Sequence, residues 1–442
     1  MNRNLSMPRA ALTRPIPDGP VGPAALSDPD AGRAAAGGGL DTYGVNPSAL
    51  TKRGSVEAYR ERLRLRGFLW LVTSDKAVAA CGRCRQRRKG SDEPQPVVVK
   101  VGPQGVGLSG LQRCAKVWVC PVCSVAVWGE RSMEIGLAAA GHVQAGGRVL
   151  FVTLTTRHHV GDSLAGLVGF LRAGWIAFLD SRGGQAMRAS LGVIGHVRVM
   201  EVNYGDNGWH PHYHLALFVR GDVTQELAES VVGDGFDRWS RAVVRAGGKV
   251  PLSQAQDVRL FGSQDADELG KYLTKTLLQS ARMRGHEDAA RGDSGTRAEA
   301  IGQALGKELT QAQRKRARKF YGTLPARALL LAACDDGDAD ALDLWREYER
   351  ATHRVRGISW SRDLRKLYGL GVERSEQEIV DDDRGGVPVM VLTNRGLARL
   401  IGWPELLADM AQAYRDGDYD GLRKCMDTNG IGYEEIDHGQ GD

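Results

Sequence analysis

Apolar and polar residues follow two different periods along the middle of the chain. Residues 148–158, 192–202 and 213–220 are rich in β-branched and apolar residues and are predicted to be strands, whereas 163–181 and 266–283 carry apolar residues at helical spacing. The order strand, helix, strand, strand, helix predicts an α+β domain, an antiparallel sheet covered by helices on one face. Further helices are predicted at 55–72, 309–324 and 338–353.

Composition divides the 442 residues into five segments. The first, rich in Gly, Ala and Pro without a hydrophobic period, is predicted to be a disordered leader. The second is basic and rich in cysteine, the fourth is a polar, flexible loop, and the last is predicted to be mostly helical with an acidic tail. The predicted boundaries are 1–47, 48–130, 131–283 for the α+β domain, 284–300 and 301–442.

Charge is spread unevenly along the chain. The formal net charge is +6, but residues 51–130 carry +9 and residues 371–442 carry −9. A basic front half and an acidic tail suit a protein that binds a polyanion with one part only. No apolar run reaches the roughly 18 residues of a membrane span, and the N-terminus lacks the apolar stretch of a secretory signal. We therefore expect a cytoplasmic protein with no membrane partner.

The stretch "HPHYHLALFV" (210–219) places three of the chain's 10 histidines on one face of a predicted strand. The alternate positions are apolar and are expected to face a core. Two histidines at i and i+2, here His212 and His214, can share one divalent ion; the alternative is a pair of surface histidines on a half-exposed sheet. Glu201, in the preceding strand, is a candidate third ligand. Because it shares its face with Val197 and Val199, we expect a bulge or strand end to aim it at the histidines.

The stretch "ELGKYLTK" (268–275) is predicted to be helical. Glu268 and Tyr272 are four residues apart and Lys275 follows three later, so all three project from one face. A tyrosine beside a carboxylate and an ammonium has the groups that attack on a phosphodiester requires, since the acid can take a proton and the cation can neutralise phosphate charge. The alternative is an amphipathic helix with ordinary surface groups.

Five of the seven cysteines lie between residues 81 and 123. The pairs "CGRC" and "CPVC", with Cys81, Cys84, Cys120 and Cys123, predict a structural zinc site of four thiolates. Cys114 is a fifth cysteine that could replace one ligand, and free or redox-active thiols are the alternative. A basic stripe suited to DNA phosphates follows the first pair. It consists of Arg83, Arg85, Arg87, Arg88 and Lys89.

Three stretches in this order, "FVTLTTR" (151–157), "GWHPHYHLAL" (208–217) and "ELGKYLTK", resemble those of the HUH single-strand endonucleases, in particular the rolling-circle replication initiators of small plasmids. The resemblance implies the HUH endonuclease fold, with His212 and His214 holding Mg²⁺ or Mn²⁺ and His210 a neighbour that is not a ligand. It implies that Tyr272 is the nucleophile, that Lys275 matches the family lysine, and that Glu268 activates water. Residue 276 is Thr, which indicates the one-tyrosine type.

The activity implied by this resemblance is nicking of single-stranded DNA at a plasmid origin through a 5′-phosphotyrosine intermediate, followed by rejoining. The implied partners are origin DNA, unpaired at the nick, and a host helicase and polymerase. Two alternatives stay open. One is an HUH-type transposase, against which Thr276 argues; the other is a non-catalytic, zinc-containing DNA-binding regulator whose histidines are structural.

Overall fold

The computed structural model describes residues 53–88, 90–102, 105–262, 323–382 and 386–437. They form two compact units: the described residues up to Arg113 together with those from Asp382 onward, and Cys114–Asp381. Each unit contains an antiparallel sheet and helices, which confirms the α+β class. Elements are numbered along the chain.

The first unit joins the two ends of the described chain. Its sheet has the order β10-β9-β1-β2, so strands near the C-terminus pair with strands near the N-terminus. The C-terminal region therefore contributes strands as well as helices. The elements are α1 (Arg53–Val72), α2 (Lys76–Ala80), β1 (Val98–Gly102), β2 (Gly105–Ser109), β9 (Val387–Leu392), α11 (Asn394–Gly402), α12 (Leu406–Thr428) and β10 (Tyr433–Glu435).

The second unit is built on a six-stranded sheet with the order β6-β3-β5-β4-β7, in which β8 also pairs with β4. Its strands are β3 (Arg148–Thr155), β4 (Gly195–Gly205), β5 (Gly208–Val219), β6 (Asp257–Phe261), β7 (Thr323–Pro325) and β8 (Ile358–Trp360). Its helices are α3 (Cys123–Gln144), α4 (Leu164–Trp175), which continues as a π-helical turn (Ile176–Asp180), α5 (Arg182–Ser190), α6 (Gln225–Arg245), a 3₁₀ turn (Ser253–Ala255), α7 (Arg327–Asp335), α8 (Ala339–Thr352), α9 (Leu364–Leu367) and α10 (Glu376–Val380).

Strand β5 lies in the middle of this sheet, paired on one side with β3 and on the other with β4. Its odd-numbered residues face α4 and α6. The Tyr213 ring meets the Trp175 ring of α4 and the Trp239 ring of α6, with centroids 6.1 and 6.4 Å apart. Three rings that bury large apolar areas fix the helices on this face of the sheet. The apolar face predicted for this strand is confirmed.

The expectation that helices cover only one face is wrong. The even-numbered face of β5 ends in Phe218, whose ring packs on His142 of α3 with centroids 5.3 Å apart. Nε2 of His142 also lies 2.8 Å from the carbonyl oxygen of Val219. Because Ala216 and Phe218 continue the histidine face as buried apolar positions, that face also needs a helix to cover it. The sheet is therefore enclosed on both sides at this end.

The predicted helices at 55–72 and 338–353 are confirmed as α1 and α8, and the predicted strands at 148–158, 192–202 and 213–220 as β3, β4 and β5. The predicted helix at 266–283 and residues 309–322 of the next lie outside the described residues. Within the described part of the chain, no single helix is long and apolar enough to cross a membrane. A bent pair, residues 164–180 with 182–190, meets that criterion by length and composition only.

Candidate functional site

The β4–β5 hairpin sets the register of the site. Asp206 and Asn207 form its turn, and Gly208 follows with φ +83°, a conformation that costs glycine little. Pairing then continues without a bulge and places Glu201 directly opposite His212. Directly paired residues of antiparallel strands share a face. The expectation that Glu201 needs a bulge or strand end is therefore wrong, since the face it shares with Val197 and Val199 is the histidine face.

Glu201, His212 and His214 converge on one point. Nε2 of His212 and Nε2 of His214 lie 3.0 Å apart. Oε2 of Glu201 lies 3.2 Å from the first nitrogen and 3.1 Å from the second. Ligand atoms at right angles around an ion with bonds of about 2.1 Å lie about 3.0 Å apart. The three atoms have the spacing of one face of an octahedral metal site.

Neighbouring groups orient both imidazoles. Nδ1 of His212 lies 3.3 Å from the carbonyl oxygen of His210. A carbonyl only accepts hydrogen bonds, so the neutral ring carries its proton on Nδ1 and presents the Nε2 lone pair to its neighbours. Nδ1 of His214 lies 3.1 Å from the hydroxyl of Thr153 on β3, which can accept the Nδ1 proton in the same way. Such outer partners are typical of metal-binding histidines.

The carboxyl group of Glu201 is ionised. Burial alone would raise its pKa, but the adjacent His212 and His214 hold that pKa well below its usual range. A buried carboxylate needs positive charge beside it, which protonated imidazoles or a bound metal ion would supply. The donor set, two imidazole nitrogens and one carboxylate oxygen, fits a divalent metal ion.

His210 takes a different role from the other two histidines of its strand. Its ring stacks on His158, with centroids 4.7 Å apart and planes inclined by 21°. Burial, with the charges of His212 and His158, lowers the pKa of His210 to about 3, so the ring is neutral. In the described chain the potential metal cluster on this sheet contains Glu201, His212 and His214 and does not include His210. The sequence singled out the stretch 151–157, which contains Thr153, but assigned no role to Thr153 or to His158.

The third predicted stretch, with Glu268, Tyr272 and Lys275, lies outside the described residues, as does Lys89. The basic stripe partly pairs with acids close to it in the chain. Arg87 forms an ion pair with Asp92, and Arg88 lies 3.6 Å from Glu93. These pairs reduce the positive charge of the stripe, and its contact with DNA stays a prediction.

The arginines nearer the first cysteine pair have other neighbours. The guanidinium of Arg85 donates to the side chain of Asn394 at 2.6 Å. That of Arg83 lies over the Trp70 ring, 5.8 Å from its centroid. Both side chains also stay predictions as DNA contacts.

The predicted zinc ligands fall into two classes of exposure. Cys81, Cys120 and Cys123 are buried, whereas Cys84 is exposed. Cys114, the fifth cysteine, is also buried and lies beside Cys123, with the two sulfur atoms 3.8 Å apart.

Comparison with known proteins identifies the family of the chain. The family model described as "Replication protein" matches residues 108–327, which include Glu201, His212 and His214. The protein rep of Streptomyces lividans is 30% identical over 323 residues, which cover 62% of this chain and 67% of the relative. The chain belongs to this replication protein family.

A second relative of this replication protein is named neomycin resistance protein and comes from Streptomyces cyanogenus. It is 28% identical over 295 residues, which cover 56% of this chain and 67% of the relative. No solved structure matches the replication protein significantly. The family supports a role in plasmid replication. The HUH fold and the nicking chemistry stay predictions.

Proposed function

We propose that this replication protein nicks single-stranded DNA at a plasmid origin through a covalent tyrosine intermediate and rejoins it, driving rolling-circle replication. The observation that carries the proposal is the convergence of Glu201, His212 and His214 on one point of the sheet. Membership of a replication protein family supplies the substrate class.

Glu201, His212 and His214 would hold Mg²⁺ or Mn²⁺. When bound, such an ion polarises the scissile phosphate and stabilises the charge that builds on the departing oxygen. Two histidines and a carboxylate also hold iron in oxygenases. The family match favours phosphoryl transfer over oxygen chemistry.

Tyr272 is the proposed nucleophile. Its phenolic oxygen attacks the scissile phosphorus, giving up its proton, and forms a bond to the 5′-phosphate as the bond from phosphorus to the 3′-oxygen breaks. The 3′-oxygen takes up a proton and leaves as a free hydroxyl. Lys275 neutralises phosphate charge, and Glu268 activates the water that performs the second cleavage, because a one-tyrosine enzyme has no second phenol.

The proposed partners follow from this chemistry. The strand must be unpaired at the nick, because the site has to reach the backbone of a single strand. A host helicase unwinds the duplex ahead of the nick, and a host polymerase extends the free 3′-hydroxyl. The basic stripe from Arg83 to Lys89 is a proposed phosphate contact.

The test uses the full chain and single-stranded DNA from the replicating element that encodes it, labelled at the 3′ end, with Mn²⁺ present. We expect a nick at one position and a labelled protein adduct that survives denaturation. Tyr272→Phe should lose the adduct and retain DNA binding, because only the nucleophilic oxygen is removed. Tyr414→Phe, in α12 of the first unit, is the matched control and should keep full activity.

Three outcomes separate the alternatives. An adduct that persists in Tyr272→Phe would remove the tyrosine assignment. Specific DNA binding without any nick, in Mg²⁺ or Mn²⁺, would indicate the non-catalytic regulator. A nick at the end of a transposable DNA element, followed by joining of that end to a second DNA molecule, would indicate the transposase.

A further inference from the structure

Three buried cysteines gather at the beginning of α3. The sulfur atoms of Cys114, Cys120 and Cys123 all lie within 4.8 Å of one another. Their exposed fractions are 7%, 0% and 2%. Thiols are among the least hydrated side chains, but three that converge inside a protein need a further reason to meet.

The sulfur spacing is that of a metal site. The sulfur atoms of Cys114 and Cys123 lie 3.8 Å apart, far longer than the roughly 2.05 Å of a disulfide bond. Zinc binds thiolates at about 2.3 Å in a tetrahedron, whose edges are then about 3.8 Å long. The observed distance therefore equals the edge of a tetrahedral zinc–sulfur site.

The local backbone stabilises thiolates at this point. Cys123 is the first residue of α3, whose N-terminus carries partial positive charge. The backbone N–H of Cys123 donates to the sulfur of Cys120 at 3.5 Å. Both features favour negatively charged ligands at this point of the backbone.

We propose that Cys114, together with Cys120 and Cys123, binds a structural zinc ion, and that Cys84 is not a ligand. Cys84 is exposed, whereas structural zinc sites are closed to solvent. The three proposed ligands belong to the second unit, and the proposal does not depend on the nicking chemistry.

The loop between Cys114 and Cys120 also supports β5. Its Trp118 ring meets the ring of Tyr348 on α8, with centroids 6.3 Å apart. Tyr348 in turn stacks on Trp209 at the start of β5, with centroids 6.1 Å apart and planes inclined by 19°. Loss of zinc should therefore lower the stability of the second unit.

The first measurement is X-ray absorption at the zinc edge on the full chain and on Cys84→Ser, purified under reducing conditions. We expect about one zinc ion per chain with the same number of sulfur ligands, at least three, at about 2.3 Å in both proteins. Because Cys84 is exposed, its replacement leaves the packing intact. A Cys84→Ser protein with fewer sulfur ligands than the wild type, or without zinc, would overturn the proposal.

The second measurement is zinc affinity, by competition with a chromophoric chelator, for Cys114→Ser and for the control Cys334→Ser. We expect Cys114→Ser to weaken zinc binding by about 100-fold or more and Cys334→Ser to leave it unchanged. Unchanged affinity in Cys114→Ser, or reduced wild-type protein that binds no zinc, would overturn the proposal. If Cys114→Ser does not fold, the sulfur count in Cys84→Ser decides.

Discussion

The two faces of the β4–β5 hairpin carry similar residues and use them differently. On one face, Glu201 and two histidines bring their polar atoms within 3.2 Å of one another. On the other, His196 packs on Trp175, with ring centroids 5.3 Å apart, and the Arg198 guanidinium lies over the same Trp175 ring, 4.5 Å from its centroid. Polar side chains thus form the proposed metal site on one face and support packing on the other.

The difference shows what a histidine requires to be a metal ligand. A ligand histidine needs an outer partner that fixes its tautomer and a carboxylate beside its free nitrogen. His212 has both, whereas aromatic and cationic neighbours surround His196. Burial, with the charges of Arg188 and Arg198, lowers the pKa of His196 to about 4, so this ring is neutral. Neutrality alone therefore does not distinguish a ligand from a packed ring; the convergence of donor atoms does.

The largest expected effect is the difference between two single variants, His212→Ala and His196→Ala. His212→Ala should weaken Mn²⁺ binding by at least about 100-fold and slow nicking by about 1,000-fold, because one of three donors is lost. His196→Ala should bind Mn²⁺ normally and nick at a similar rate, with a lower melting temperature.

Isothermal titration with Mn²⁺, nicking rates and thermal unfolding of both variants test this prediction. Nicking at the wild-type rate by His212→Ala, or equal loss of Mn²⁺ binding in both variants, would remove the functional difference between the two faces. Zinc content should be the same in both variants, since the thiolates lie apart from these rings.

A second, smaller effect is expected for Glu201→Gln. The change keeps the shape of the side chain and removes its negative charge, so Mn²⁺ should bind more weakly and nicking should fall by about 100-fold. Glu229→Gln, on the exposed side of α6, serves as control. Full activity of Glu201→Gln would mean that the carboxylate is a structural partner of His212 and His214 and not a ligand.

Much of this hairpin could be predicted from the sequence. The alternation of apolar residues and histidines along 210–219 predicted an apolar face and a histidine face. Tyr213 lies on the first and His212 on the second, as predicted. The position of Glu201 was missed although the signal was present. A two-residue turn at Asp206 and Asn207 sets the pairing of the whole hairpin, and counting four residues back from Gly205 and four on from Gly208 pairs Glu201 with His212.

Contacts between elements far apart in sequence cannot be predicted by counting residues from a turn. Thr153 meets His214 because β3 pairs with β5, and no local turn fixes that register. In the same way α3 covers the histidine face at Phe218 although some 75 residues separate them in sequence. The sequence names Cys114 as a possible replacement ligand but cannot rank it against Cys84, since spacing carries no information on which thiol becomes buried.

The third prediction concerns the pH dependence of stability on the packed face. His196 has an ordinary pKa of 6.5 when unfolded and about 4 when folded, so the unfolded chain takes up the proton first as the pH falls. Its contribution to stability is complete above pH 6.5 and is lost as the pH falls towards 4. Between pH 7.5 and pH 4.5, the free energy of unfolding of His196→Gln should therefore fall by about 2 kcal/mol less than that of wild type.

Urea unfolding at the two pH values measures this difference, with His353→Gln as an exposed control. If wild type and His196→Gln lose the same stability over this range, His196 is accessible enough to be protonated without cost in the folded protein.

The smallest expected effect is on the partner that orients His214. Thr153 presents its hydroxyl 3.1 Å from Nδ1 of His214. Thr153→Val keeps the shape of the side chain and removes the hydroxyl. The ring then loses the partner that can hold its proton on Nδ1 and leave a lone pair on Nε2, so Mn²⁺ affinity should fall by about tenfold. Thr153→Ser retains a hydroxyl and should restore most of the affinity. Nicking at saturating Mn²⁺ should recover in Thr153→Val, because the three ligands themselves remain.

A loss of nicking that excess Mn²⁺ does not reverse would instead mean that Thr153 positions the DNA or holds the strand. The orientation of His214 would then have to come from its neighbour Phe151, whose ring centroid lies 5.3 Å away.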